Sequence, residues 1–139
     1  MIQLIVGNEG KGKTTKILEK ANSEIKNVNG TIVYLDKNKK HMYELNNKIR
    51  LIDVSEYSFE TSEEFYGFVC GIISTDHDLE QIYFDNFLKL GSVEKEGIAA
   101  VLDKFKKLSE KSGIMLCMSI AMDESAIPED YRQDIVASL

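Results

Sequence analysis

Short apolar runs alternate with longer amphipathic segments along this chain, and that alternation constrains the fold more than any other feature. Ile2–Val6, Thr31–Leu35, Gln81–Phe84 and Ile114–Ile120 are apolar, the pattern of buried strands. Between Lys13 and about Asn27, Ile17, Leu18, Ala21 and Ile25 recur at helical spacing, with Asn29-Gly30 as the stop. Thr61-Ser62-Glu63-Glu64 offers a capping box to a helix that carries Phe65, Phe68, Val69, Ile72 and Ile73. Ser92 is placed to cap a third helix, whose Ile98, Val101, Leu102, Phe105 and Leu108 face inward until Gly113 ends it. Met42–Asn47 has room for a helical turn, and Ile49–Val54 and Asp134–Ala137 read as shorter strands. Continuously apolar strands alternating with helices require a mainly parallel sheet covered on both faces. The expected class is therefore α/β, a three-layer sandwich. With 139 residues, the chain is expected to form one domain over residues 1–139.

Ligands of such sheets bind beyond the carboxyl ends of the strands, which singles out the residues after Val6, Leu35, Phe84 and Ile120. Gly7-Asn8-Glu9-Gly10-Lys11-Gly12-Lys13-Thr14 lies between the first strand and the first helix and fits G-x-x-x-x-G-K-[ST] without a mismatch. Its glycines let successive N–H groups turn inward toward phosphate oxygens, and the positive end of the helix adds to that field. Lys13 then reaches the β- and γ-phosphates, Thr14 offers its hydroxyl to a magnesium ion, and Thr15 lies near the α-phosphate. Lys11 is an additional cation.

On these residues the chain resembles the P-loop nucleoside triphosphatases, the octapeptide matching their Walker A motif and Ile82-Tyr83-Phe84-Asp85 their Walker B motif. The resemblance is specific over the first fifteen residues and diffuse elsewhere. It implies ATP and Mg2+ as ligands, with Lys13 and Asp85 in catalysis and with Thr14 and Asp85 serving the magnesium. Thr31–Asp36 intervenes in sequence between the two motifs, so their strands need not be neighbours. This is similar to the RecA-like branch, where an extra strand sits between them. In that branch a Glu often follows the Walker B Asp, whereas Asn86 stands here, which implies slow hydrolysis. Some recombinase-type members carry the acidic group after the second strand instead, which makes Asp36 the candidate for activating water. Ser119 falls where related proteins keep a polar residue that senses the γ-phosphate. The layout also resembles short stand-alone P-loop proteins of low-GC Gram-positive bacteria labelled twitching-motility-ATPase-like. The chain is too short for the additional N-terminal domain of a retraction motor, so that label does not carry a function.

Composition narrows the partners. Seventeen Lys+Arg against 23 Asp+Glu give a net charge of −6, which argues against a nucleic-acid partner recognised through whole-molecule charge. The two arginines, Arg50 and Arg132, are few for phosphoryl transfer; an ordinary surface role is the default for both, and the alternative is that one acts in trans within a homo-oligomer or beside a protein partner, Arg132 before Arg50. Cys70 and Cys117 sit in apolar runs and read as reduced thiols of a cytoplasmic protein, and no apolar stretch is long enough for membrane insertion. Lys37, Lys39, Lys40 and His41 make a basic loop, and Asp76-His77-Asp78 reads as a turn before a strand. Gly67 and Gly71 each cost ~1 kcal/mol inside a helix, which implies a compensating close contact. Tyr34, Tyr43, Tyr57 and Phe59 are the aromatic candidates for stacking on a base. The expected function is MgATP binding with slow or partner-stimulated hydrolysis. The alternatives are a non-catalytic nucleotide-dependent switch or scaffold and, with little material for an arginine-bearing lid, a small-molecule kinase.

Overall fold

In the computed structural model, which describes residues 1–139, six strands form one sheet. They are β1 (Ile2–Val6), β2 (Thr31–Asp36), β3 (Arg50–Asp53), β4 (Leu79–Phe84), β5 (Met115–Ile120) and β6 (Ile135–Ser138). Their order is β3-β2-β4-β5-β1-β6, and every neighbouring pair is parallel, so all carboxyl ends share one edge. β1 and β4 are separated, as their place in the sequence allows. The strand between them is β5, while β2 lies on the far side of β4.

The continuous apolarity of the strands follows from burial on both faces. Ile2, Leu4, Val6, Leu35, Phe84 and Leu116 pack toward α2 (Ser62–Thr75) and its neighbours, whereas Ile5, Ile32, Tyr34, Tyr83 and Cys117 pack toward α1 (Lys13–Glu24). On the first face Phe65 of α2, Phe84, Phe87 of α3 (Phe87–Leu90) and Phe105 of α4 (Ile98–Ser112) form a ring cluster with centroids 5.2 to 6.2 Å apart. Edge-to-face pairs in this range add to the area that the rings bury.

Two helix ends differ from expectation. α1 ends at Glu24, before Asn27. Ser92 caps nothing: it adopts φ 52°, and α4 begins at Ile98 behind a 3-10 turn, Lys95–Gly97, with no side-chain cap. The short helix α3 has no periodic signature because all but Lys89 of its four residues are buried, so tertiary burial decides it. The Thr61 cap forms as expected, its hydroxyl accepting from the Glu64 N–H at 3.1 Å.

Gly67 and Gly71 lie exposed on α2, and a Cβ added to either meets no atom within 4 Å, so the expected close contact is absent. Gly67→Ala and Gly71→Ala are therefore each expected to stabilise the protein by about 0.5–1 kcal/mol in urea denaturation. A loss of stability in both would show that these positions do need glycine.

Candidate functional site

The backbone leaves β1 at Gly7 and reaches α1 through a glycine-rich loop in which Gly10 has φ 80° and Gly12 φ 92°. Those left-handed angles disfavour residues with a Cβ and keep the loop tight. Gly12 stands at the N-cap with no side chain to offer, and the first turn of α1 contains no acidic residue. The first-turn N–H groups of any helix lack intrahelical acceptors, so this end of α1 presents uncapped donors together with the positive end of the helix dipole. Lys13 bends its ammonium back over the loop and donates to the Asn8 carbonyl at 2.9 Å. Burial holds the Lys13 pKa below the usual lysine range, opposed by the charges of Glu9 and Asp85.

Asp85 follows β4 and is 6% exposed. Its Oδ1 accepts from the Thr14 hydroxyl at 3.2 Å and lies 3.4 Å from the Ser119 hydroxyl, and its Oδ2 accepts from the Tyr34 hydroxyl at 3.0 Å. Thr14, Asp85 and Ser119 thus converge from α1, β4 and β5. Ser119 also accepts from the Asn86 N–H at 2.7 Å. Asn86 has φ 68°, and its side-chain oxygen is buried without a partner. A cleft of about 250 Å³ is lined by Glu9, Gly10, Gly12, Lys13, Thr14, Thr15, Asp85 and Ser119 together with Asn86, Lys89 and Ala121. Asn8 lines an adjoining depression, Gly7 packs against Leu139, and Lys11 projects to solvent.

Asp36 ends β2 beside Asp85, because Leu35 pairs with Phe84 and the Asp85 N–H donates to the Leu35 carbonyl at 3.0 Å. It is buried outside the cleft lining, one oxygen accepting from the Lys37 N–H at 2.7 Å and the other unpartnered. Burial, followed by the charge of Asp85, pushes its pKa up to about 6.

Neither arginine reaches the cleft of its own chain. Arg132 donates to the carbonyls of Ile127 and Ser125 at 3.2 and 3.1 Å, and Arg50 lies 3.9 Å from Asp76, before β4 begins. Lys39 pairs with Glu56 at 2.9 Å and His41 with Glu44, so half of the basic loop is engaged locally. Asp76 accepts from Thr31 at 2.7 Å and from the Asp78 N–H, the bonds of a turn. None of the four aromatic candidates lines the cleft: Tyr34 is buried inside the sheet, and Tyr57 and Phe59 pack on Phe68. Lys89 was not singled out by the sequence, and its only signal is a cation four residues beyond Asp85 on a helix that the pattern does not reveal.

No family model and no curated protein matches the chain. Among solved structures, the flagellar accessory protein FlaH from Methanocaldococcus jannaschii is similar, with a TM-score of 0.51 at 16% identity. The match covers 93% of this chain, which spans 63% of the FlaH chain. That likeness, with the parallel sheet and β5 between β1 and β4, shows the fold to be the RecA-like α/β sandwich. No helix is long and apolar enough to cross a membrane.

The raised pKa of Asp36 makes stability depend on pH in a definite sense. Between about pH 4 and pH 6 the folded chain holds the Asp36 proton more tightly than the unfolded chain, so stability from this group is present in acid and lost as pH rises through about 6. Asp36→Asn is expected to be more stable than the wild type at pH 7, by an amount on the order of 1–2 kcal/mol that disappears toward pH 4. Parallel stability profiles across that range, in equilibrium denaturation, would contradict this reading.

Proposed function

We propose that the chain binds MgATP at the carboxyl edge of the sheet and hydrolyses it slowly or only when a partner stimulates it. The observation that carries this reading is the approach of Thr14 to Asp85, 71 residues apart in sequence and 3.2 Å apart in space, beside the uncapped start of α1 and Lys13. A hydroxyl and a carboxylate at this separation suit a magnesium ion that keeps most of its other positions for phosphate and water. No group of three or more His, Cys, Asp or Glu competes with it as a metal site. In the terms of the resemblance, Gly7–Thr14 is a Walker A loop and Asp85 the Walker B acid.

Bound MgATP supplies a γ-phosphoryl group whose developing charge must be neutralised. The chain contributes the Lys13 ammonium, the first-turn N–H groups of α1 and the cleft-lining Lys89. Asp36, with an unpartnered oxygen and a pKa near 6, is the group suited to accept a proton from attacking water. Ser119 reports on the γ-phosphate through Asp85 and Asn86, the groups it bonds. The missing arginine comes from a second copy or a protein partner, and the setting is cytoplasmic.

A second reading, a nucleotide-dependent switch without turnover, is favoured by Asn86 in place of a glutamate and by the engagement of Arg132 with its own loop. A small-molecule kinase has the least support.

Phosphorus NMR of the protein with MgATP distinguishes these readings, since line broadening reports binding and new phosphate signals report hydrolysis. Lys13→Ala is expected to abolish stabilisation by ATP, and Asp85→Asn to remove chiefly its magnesium dependence. Unchanged ATP affinity in Lys13→Ala would remove the site assignment. Asp36→Asn is expected to bind ATP as the wild type does while turnover falls by about tenfold or more, the usual scale of a lost general base. Equal turnover would take Asp36 out of the mechanism.

A further inference from the structure

Tyr34 lies fully buried in β2 directly beside Tyr83 of β4, the two rings stacked with centroids 6.4 Å apart. Each tyrosine stands two residues before an aspartate, so the parallel register sets a row of two phenols beneath a row of two carboxylates. The phenols are used differently. The Tyr83 hydroxyl turns away and donates to Gln81 at 2.6 Å, while the Tyr34 hydroxyl crosses to β4 and donates to Asp85 Oδ2 at 3.0 Å. Burial, with Asp85 alongside, pushes the Tyr34 phenol far above its ordinary range, so it keeps its proton and acts as a donor. The oxygen it leaves free, Oδ1, is the one that meets Thr14 at 3.2 Å and Ser119 at 3.4 Å.

We infer that Tyr34 is a positioning residue for Asp85: its hydroxyl anchors one carboxylate oxygen inside the sheet and turns the other toward Thr14, fixing how Asp85 serves a magnesium–nucleotide complex. The inference rests on the MgATP reading above. A carboxylate without that anchor loses its orientation, and supporting hydrogen bonds of this kind typically change metal affinity by about 10–100-fold.

The test titrates Mg2+ into wild type, Tyr34→Phe, Asp85→Asn and the double variant, each with a fixed concentration of a fluorescent ATP analogue. Nucleotide binding in EDTA is expected to be equal in wild type and Tyr34→Phe, while half-saturating Mg2+ rises roughly tenfold in Tyr34→Phe. Adding Tyr34→Phe to Asp85→Asn is expected to leave half-saturating Mg2+ where the single Asp85→Asn variant has it, because the carboxylate that Tyr34 would orient toward magnesium is already gone. Unchanged half-saturation in Tyr34→Phe, with a lowered melting temperature, would make the hydroxyl merely structural and overturn the inference while leaving the MgATP reading intact. Nucleotide binding by the wild type that ignores Mg2+ would overturn both. Should Tyr34→Phe fail to fold, 3-fluorotyrosine at position 34 keeps the ring and the hydroxyl. Its fluorine resonance is expected to move when Mg2+ is added to the nucleotide-loaded protein and to stay fixed in Asp85→Asn, and a resonance that does not respond in the wild type overturns the inference.

Discussion

A carboxylate as deeply buried as that of Asp85 must be satisfied by hydrogen bonds, and the way it is satisfied organises the carboxyl edge of this sheet. Three hydroxyls approach it, from Thr14 on α1, Tyr34 on β2 and Ser119 on β5. Each reaches it across a different packing boundary, so the arrangement exists only when β4 lies between β2 and β5 and α1 lies over their shared face. Asp85 therefore ties the local geometry of the glycine-rich loop to the order of the whole sheet. Disturbing that order leaves a buried charge short of donors, which is among the costlier defects a protein interior can hold.

The parts of this arrangement that the sequence reveals are those that local rules determine. β1, the loop and α1 are contiguous, and an apolar run, a glycine-rich octapeptide and a helical stripe describe them almost completely. Asp85 is legible because a strand ends there. The identity of the strand between β1 and β4 is not legible, since chain order puts β2 between them and packing puts β5 there. Tyr34 is taken as a candidate for stacking on a base for a related reason: in a sheet covered on both faces, the pattern does not tell which strand aromatics are wholly enclosed. α3 escapes notice because four residues cannot display a period, and with it Lys89 is missed. Ser92 obeys the capping statistics in type and fails them in place, since α4 starts only after a further 3-10 turn.

The supply of positive charge bears on rate. Lysine is a compact point charge without the planar fork of arginine, so Lys13 and Lys89 can neutralise phosphate oxygens but cannot bind two of them at once in bidentate fashion. Arg132 is held by two carbonyls of its own loop, while Arg50 is exposed, 3.9 Å from Asp76 and away from the cleft of its own chain. On the MgATP reading proposed above, such a site would hold triphosphate through backbone donors and lysines and would depend on another molecule for fast chemistry, as a partner-stimulated ATPase or a switch does.

The placement of Asp36 beside Asp85 argues that this edge serves more than stability. Neighbouring strands of a sheet lie about 4.8 Å apart, so two in-register aspartates on one face repel each other wherever both are ionised. The fold does not relieve this symmetrically. Asp85 receives the Tyr34 proton as a hydrogen bond, and Asp36 is left with a bare oxygen and a pKa pushed up to about 6. An apolar residue at position 36 would spare the sheet a buried carboxylate, and a donor beside it would satisfy one. The chain keeps the carboxylate and supplies only the Lys37 N–H to one of its oxygens, so it holds two adjacent carboxylates in unlike environments, one anchored by hydroxyls and one with a pKa raised by burial. On the proposed reading, that division would let the paired acids take separate roles, Asp85 toward magnesium and Asp36 toward the proton of attacking water.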